Sequence, residues 1–192
     1  MPSSLFSCQD MSHLELFNCL LRPPPTFKGF SRLKSLDLQH VTLAQDVFDN
    51  MVVRCPLLEK LTVMNFDGFT LLNIDAPNLQ FFDVGGVFED VNFKNTLNLA
   101  VRPEDTTCAG TVNFQLDDNW NGPIARLRRV KINGISGTKP ELEFIRLLLL
   151  GSPALEKMTV KPASVTCGWE IVKKLLQYRR ASVHAEIIYL DP

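Results

Sequence analysis

Excess charge of either sign is what this sequence most plainly lacks: 20 lysines and arginines stand against 21 aspartates and glutamates, a formal net charge of −1. Without a strongly basic field there is no basis for non-specific nucleic-acid binding, so no nucleic-acid partner is expected. Long apolar runs are also missing. The longest, Leu147 to Leu150, is far short of a membrane span, and the opening MPSSLFSCQD reaches Gln9 and Asp10 before a secretion signal could develop. No membrane partner is expected. The five cysteines, Cys8, Cys19, Cys55, Cys108 and Cys167, are odd in number and widely spaced, with no C-x-x-C pair and no N-x-S/T acceptor in the chain. That pattern fits a reducing cytoplasmic or nuclear compartment.

Catalytic motifs are absent in turn. There is no G-x-G-x-x-G, no P-loop and no G-x-S-x-G elbow; Gly134-Ile135-Ser136-Gly137 has the wrong spacing. H-x-E occurs at His13-Leu14-Glu15 and His184-Ala185-Glu186, but the P-C-x-x-C that a zinc deaminase would need is missing. Histidines at 13, 40 and 184 provide no i, i+4 zinc pair. The chain is therefore expected to be no enzyme, with no catalytic residues, no cofactor and no metal.

What the chain does have is self-similarity. Apolar residues recur at i, i+3 and i+5, the strand signature of a leucine-rich repeat. They stand at Met11/Leu14/Leu16, Leu33/Leu36/Leu38, Leu58/Leu61/Val63 and Leu79/Phe82/Val84, with steps of 22, 25 and 21 residues. The spacing resumes at Leu127/Val130/Ile132 and Leu155/Met158/Val160. CPLLEKLTV, Cys55 to Val63, and SPALEKMTV, Ser152 to Val160, are close copies. One such unit cannot hide its own apolar faces, whereas stacked units bury them against each other. Cys55, just before its strand, is expected to be a small buried hydrophobe.

The connecting segments repeat too. Thr42-x-x-Gln45 predicts a capping box, followed by a helix with Val47/Met51 and Phe48/Val52 on one face and stopped by Pro56. Thr138-x-x-Glu141 repeats the device ahead of the run from Leu142 to Leu150, which Pro153 ends. A third helix is expected from Trp169 to Tyr178, with Trp169, Val172, Leu175 and Leu176 on one side and Lys173, Lys174 and Arg180 on the other. Between Leu97 and Pro123 the pattern breaks into polar and turn residues, with Val112/Phe114/Leu116 predicting a short strand. The chain starts without a capping unit, so the apolar edge of the first repeat is expected to be uncovered.

These residues resemble the plant F-box/FBD/leucine-rich-repeat proteins. SLFSCQDMSHLELFNCLLRPPPTFKGFSRLKSLDLQHVTLAQDVF and CPLLEKLTVMNFDGFTLLNIDAPNLQFFDVGG look like their repeat region. RLRRVKINGISG, SPALEKMTVKP and RRASVHAEIIYLDP look like their FBD module. The resemblance implies an α/β leucine-rich-repeat solenoid, with parallel strands on the concave face and helices or irregular returns on the convex face. It also implies repeats over 1–100, an irregular linker or deletion junction over 101–123, and an FBD module over 124–192. The resemblance further implies a usual F-box, the helical module that docks on a Skp adaptor, which is not expected in the residues before Ser12, and further repeats between the regions that meet near Ala100 and Val101. The chain is therefore expected to be a shortened family member without Skp-adaptor binding.

What remains is a surface. Side chains alternate along a strand, so residues between the inward positions face the concave side. The expected partner-binding residues are Glu15, Asp37, Thr62, Asp83, Arg129, Lys131, Lys157, Thr159 and Lys161, mixed to acidic at one end and basic at the other. The resulting expectation is a non-catalytic protein-interaction module, equivalent to the substrate-recognition part of a ubiquitin-ligase receptor, for an unidentified protein target. A structural or inhibitory repeat protein with no ubiquitin link, and a non-functional truncated product, stand as alternatives.

Overall fold

A computed structural model describes residues 3–8, 10–93 and 124–192. The expected junction at 101–123 and the strand around Phe114 lie outside them. In chain order, a 3-10 turn (Ser3–Ser7) precedes β1 (His13–Leu20), β2 (Ser35–Thr42), α1 (Gln45–Val53), β3 (Lys60–Met64), β4 (Leu71–Ile74), β5 (Phe81–Gly85) and β6 (Asp90–Phe93). Then come β7 (Arg129–Ile135), α2 (Lys139–Gly151), β8 (Lys157–Pro162), α3 (Val165–Gln177) and β9 (Glu186–Tyr189).

Seven strands form one parallel sheet in the order β1-β2-β3-β5-β7-β8-β9. Its register follows from the apolar spacing. The i+3 residues align as Leu14, Leu36, Leu61, Phe82, Val130, Met158 and Ile187, and the i+5 residues as Leu16, Leu38, Val63, Val84, Ile132, Val160 and Tyr189. Up to Val160 both ladders are buried. Slipping one strand by a single residue would send its whole apolar set to solvent, so the pattern fixes the pairing. Each buried leucine or valine contributes about 1.5–3 kcal/mol.

The returns form a second layer over this apolar side. α1 lies against β4, β4 pairs with β6 in a small parallel ribbon, β6 meets α2, and α2 meets α3. Phe82 joins the layers, its ring centroid 6.0 Å from that of Phe93 and 6.3 Å from that of Phe144. The β4–β6 ribbon is not signalled by the sequence, whose returns were expected to be helical or irregular. Cys55 is fully buried, and burial pushes its thiol up to about 11.

At the far end of five strands the chain turns through the left-handed region at one equivalent position: Asn18 (φ 48), His40 (φ 52), Asn65 (φ 49), Gly86 (φ 129) and Gly134 (φ 75). Asparagine, histidine and glycine are the residues that enter this region at least cost. Phe17 pairs with Gln39 and Cys19 with Val41 on either side of the first of these turns, while β8 lacks one and the β7–β8 register shifts at Asn133/Ile135.

Three local expectations are corrected. Thr42 caps nothing: β2 runs through it, pairing it with Leu20, and α1 has Ala44 at its N-cap with no side-chain cap. Gln45 reaches sideways instead, its amide donating to Leu71 O (2.7 Å) and accepting from Leu71 N–H (3.1 Å) as an extra strand residue would. The matching box at α2 does form, with the Glu141 carboxylate accepting from the Thr138 N–H and hydroxyl, both at 2.8 Å. Secondly, α3 begins at Val165 and buries Gly168, Ile171 and Leu175, leaving Trp169 and Leu176 exposed. A Cβ on Gly168 would stand 2.0 Å from the Tyr189 hydroxyl, so a larger residue could keep this close seat only if that ring shifted. Thirdly, the first repeat is not uncovered on its core side. The 3-10 turn carries Phe6 to Phe27 and Phe30, with ring centroids at 5.2 and 6.5 Å, and Leu14 and Leu16 are buried.

Candidate binding face

The outward side of the seven-stranded sheet is a plane of three side-chain rows, each crossing the strands at about 4.8 Å per step. The central row reads Glu15, Asp37, Thr62, Asp83, Lys131, Thr159, Ile188. Beside it runs His13, Ser35, Lys60, Phe81, Arg129, Lys157, Glu186, and on the other flank Phe17, Gln39, Met64, Gly85, Asn133, Lys161. All nine expected site residues fall in these rows, six of them in the central one. Thr62 is only 5 % exposed, so it separates Asp37 from Asp83 rather than offering contact area. Its short side chain is overtopped by longer neighbours.

The change of sign comes between β5 and β7. Asp83 Oδ2 lies 3.8 Å from Lys131 Nζ, and Asp83 Oδ1 accepts a 2.9 Å hydrogen bond from Asn133 Nδ2. Burial pushes the Asp83 carboxyl up, and Lys131 and Asn133 pull it part of the way back. Phe81 is flanked by two ammonium groups, Lys60 at 5.3 Å and Lys131 at 5.7 Å from its centroid. Such contacts hold cations over an aromatic face without neutralising them. Toward the acidic end, Phe17 is 69 % exposed and packs edge-on against His40 at 5.4 Å, and the His40 ring lies 3.3 Å from the Asn65 amide.

The basic end is less one-sided than the sequence suggests. Lys157 is 4.0 Å from Glu186 and Arg129 is 3.9 Å from Glu156. Glu186 and Ile188 belong to β9, which the i, i+3, i+5 spacing does not reveal because its first position is the exposed His184. The alternating Ile187 and Tyr189 were the available signal.

Among the described residues no three His, Cys, Asp or Glu side chains are grouped to hold a metal, and no helix is long and apolar enough to cross a membrane. A cleft of about 180 Å3 on the return layer is lined by Pro23, Pro24, Pro25, Asp46 and Arg54, but the Arg54 guanidinium is committed to the Phe27 carbonyl.

Parallel strands in near-identical register, two continuous apolar ladders and a variable return layer define a leucine-rich-repeat protein. The family model described as "FBD-associated F-box protein At5g56370, LRR repeats" matches residues 1–102. The chain belongs to this plant F-box/FBD/leucine-rich-repeat family. It is similar to the F-box/FBD/LRR-repeat protein At1g13570 of Arabidopsis thaliana, with 43 % identity over 98 residues, 51 % of this chain and 23 % of that protein. The match thus spans about a quarter of the relative's length. No solved structure matches.

Proposed function

We propose that the chain is a non-catalytic protein-interaction module, a solenoid closed by an FBD module over 124–192, working in the cytoplasm or nucleus. It corresponds to the substrate-recognition part of an F-box ubiquitin-ligase receptor and takes a protein target across its outward sheet face. The observation that supports this best is the ordered change of sign along the rows, from Glu15 and Asp37 to Lys131, Lys157 and Lys161. Complementary charge fixes the register of a partner and rejects wrong ones more than it adds affinity. A target lying across the strands therefore sets its basic part over β1 and β2 and its acidic part over β7 and β8, spanning about 24 Å in the five steps from β1 to β8.

The test is the triple variant K131E/K157E/K161E beside a control in which the exposed Arg22, Lys28 and Lys139, which lie outside the sheet face, are reversed. We expect cross-linked capture of cellular partners to be lost with the first and retained with the second. An unchanged partner set for a folded sheet-face variant would overturn the assignment. Skp-adaptor docking is no part of the proposal, and robust direct binding of the adaptor by these 192 residues would contradict that exclusion.

A further inference from the structure

α3 has two apolar faces, and the core uses only one. Gly168, Ile171 and Leu175 point inward, Ile171 fully buried and Gly168 seated against Tyr189. On the outside, Val165, Trp169, Val172 and Leu176 form a line at steps of four, three and four residues. Val165 is 79 %, Trp169 65 % and Leu176 75 % exposed, with Val172 half-buried. Three large apolar side chains left in water on 13 residues of helix are a concentration, unlike the scattered exposed apolar residues of ordinary surfaces.

The spacing says what shape fits. Alternating steps of three and four form the narrow seam along which one helix packs its knobs into another. A helix lying on a membrane buries a broad apolar face instead. The inward line of α3, Gly168, Ile171 and Leu175, is already spent on the core, and only the narrow outward line is left.

The flanking charge says which helix fits. From 165 to 180 four bases, Lys173, Lys174, Arg179 and Arg180, face one acid, Glu170. Lys173 stands beside the seam, 5.3 Å from the Trp169 ring centroid and 2.8 Å from Glu170. A second copy of this chain would bring the same basic excess against itself, which electrostatics opposes. Tryptophan is also among the side chains enriched at the positions that dominate interface energies.

We propose that the Val165/Trp169/Val172/Leu176 seam docks an acidic amphipathic helix of a partner protein, with apolar side chains around Trp169 and carboxylates toward Lys173, Lys174 and Arg179. The seam lies in the return layer, so it is independent of the sheet face and leaves that face free.

Two dye-labelled heptad peptides of equal length test this against the 192-residue chain by fluorescence anisotropy. Both carry Leu at the seam positions; one has Glu and the other Lys at the flanks. The Glu peptide is expected to bind, and the Lys peptide to bind at least about tenfold more weakly. W169A/L176A is expected to weaken the Glu peptide at least about tenfold while unfolding at the parent's temperature. K173E narrows the gap between the two peptides. Should W169A/L176A fail to fold, the milder Trp169→Gln provides the same comparison. Equal affinity for both peptides, or binding indifferent to these substitutions, overturns the proposal. So does self-association abolished by W169A/L176A, or preferential partition onto vesicles of equal parts phosphatidylcholine and phosphatidylserine.

Discussion

The strands before and after the middle of the chain build the same sheet with different materials. From β1 to β5 the outward face carries Glu15, Asp37 and Asp83, the left-handed turns use Asn18, His40, Asn65 and Gly86, and the return layer has one nine-residue helix and a strand ribbon. From β7 to β9 the face carries Arg129, Lys131, Lys157 and Lys161, the turn uses Gly134, and the returns are two 13-residue helices. Between them Phe81 pairs with Arg129 in unbroken parallel register. The inward ladder thus fixes the geometry, and everything pointing elsewhere is free to vary. In the proposed reading, partner chemistry is carried by those freer positions.

The largest effect is expected where the halves join. Phe82→Ala removes the ring that ties β5 to β6 and α2, costing about 3–5 kcal/mol, and should split a single urea transition into two when followed by circular dichroism. A loss under about 1 kcal/mol would show that the halves do not share one core.

Next comes the turn ladder. No atom lies within 4 Å of where a Gly134 Cβ would stand, so only its φ of 75 resists substitution. Gly134→Val should cost about 1–3 kcal/mol, whereas Gly134→Asn, the residue at two equivalent turns, should cost a few tenths. Equal thermal shifts for the two would refute the equivalence of the halves at this position.

The helix starts should differ by less. Glu141→Ala strips the acceptor from Thr138 and should cost about 1 kcal/mol, while Thr42→Ala, which removes no cap, should stay within about 0.5 kcal/mol. Matching losses in calorimetry would restore the symmetry the sequence suggests.

The smallest effect belongs to Asp83. Its carboxyl is raised by burial, so the folded chain holds that proton more tightly than the unfolded chain does. The associated stability is present below the ordinary aspartate range and is lost as pH rises through the raised value. Asp83→Asn keeps an acceptor for Asn133 and should flatten that part of the pH–stability curve, leaving the protein at least as stable at neutral pH. A variant whose stability falls more steeply than the parent's as pH rises through this range would reverse the sign.

How much of this was legible in the sequence depends on how local each cause is. The strands from Leu14 to Val160 could be read because one spacing serves both the ladder and its burial. The α2 start could be read because Thr138 and Glu141 satisfy each other within one turn. Thr42 looked the same but was claimed by a strand pairing with Leu20, a partner 22 residues away. The rotation of α3 was hidden because its inward face meets Tyr189, 21 residues beyond Gly168, and β9 because His184 stands where the repeat wants an apolar residue. Alternation puts the nine residues in register rows that alternate with the apolar ladders. It could not show that Thr62 is covered, or that Glu186 moderates Lys157.

The near-copied segments Cys55–Val63 and Ser152–Val160 pose a problem of assembly. In each, the glutamate just before the strand meets the base just before the preceding strand: Lys34 with Glu59 at 3.0 Å and Arg128 with Glu156 at 3.1 Å. These half-exposed pairs add little stability, and because both present the same sign they do not tell the two strands apart. Either strand could recognise the other's slot, and repeat arrays characteristically misassemble by such exchanges. The distinction must come from chain proximity: Lys34 lies 25 residues from Glu59, and Arg128 lies 28 from Glu156. Correct order is then a matter of timing, with each strand captured by the neighbour made just before it.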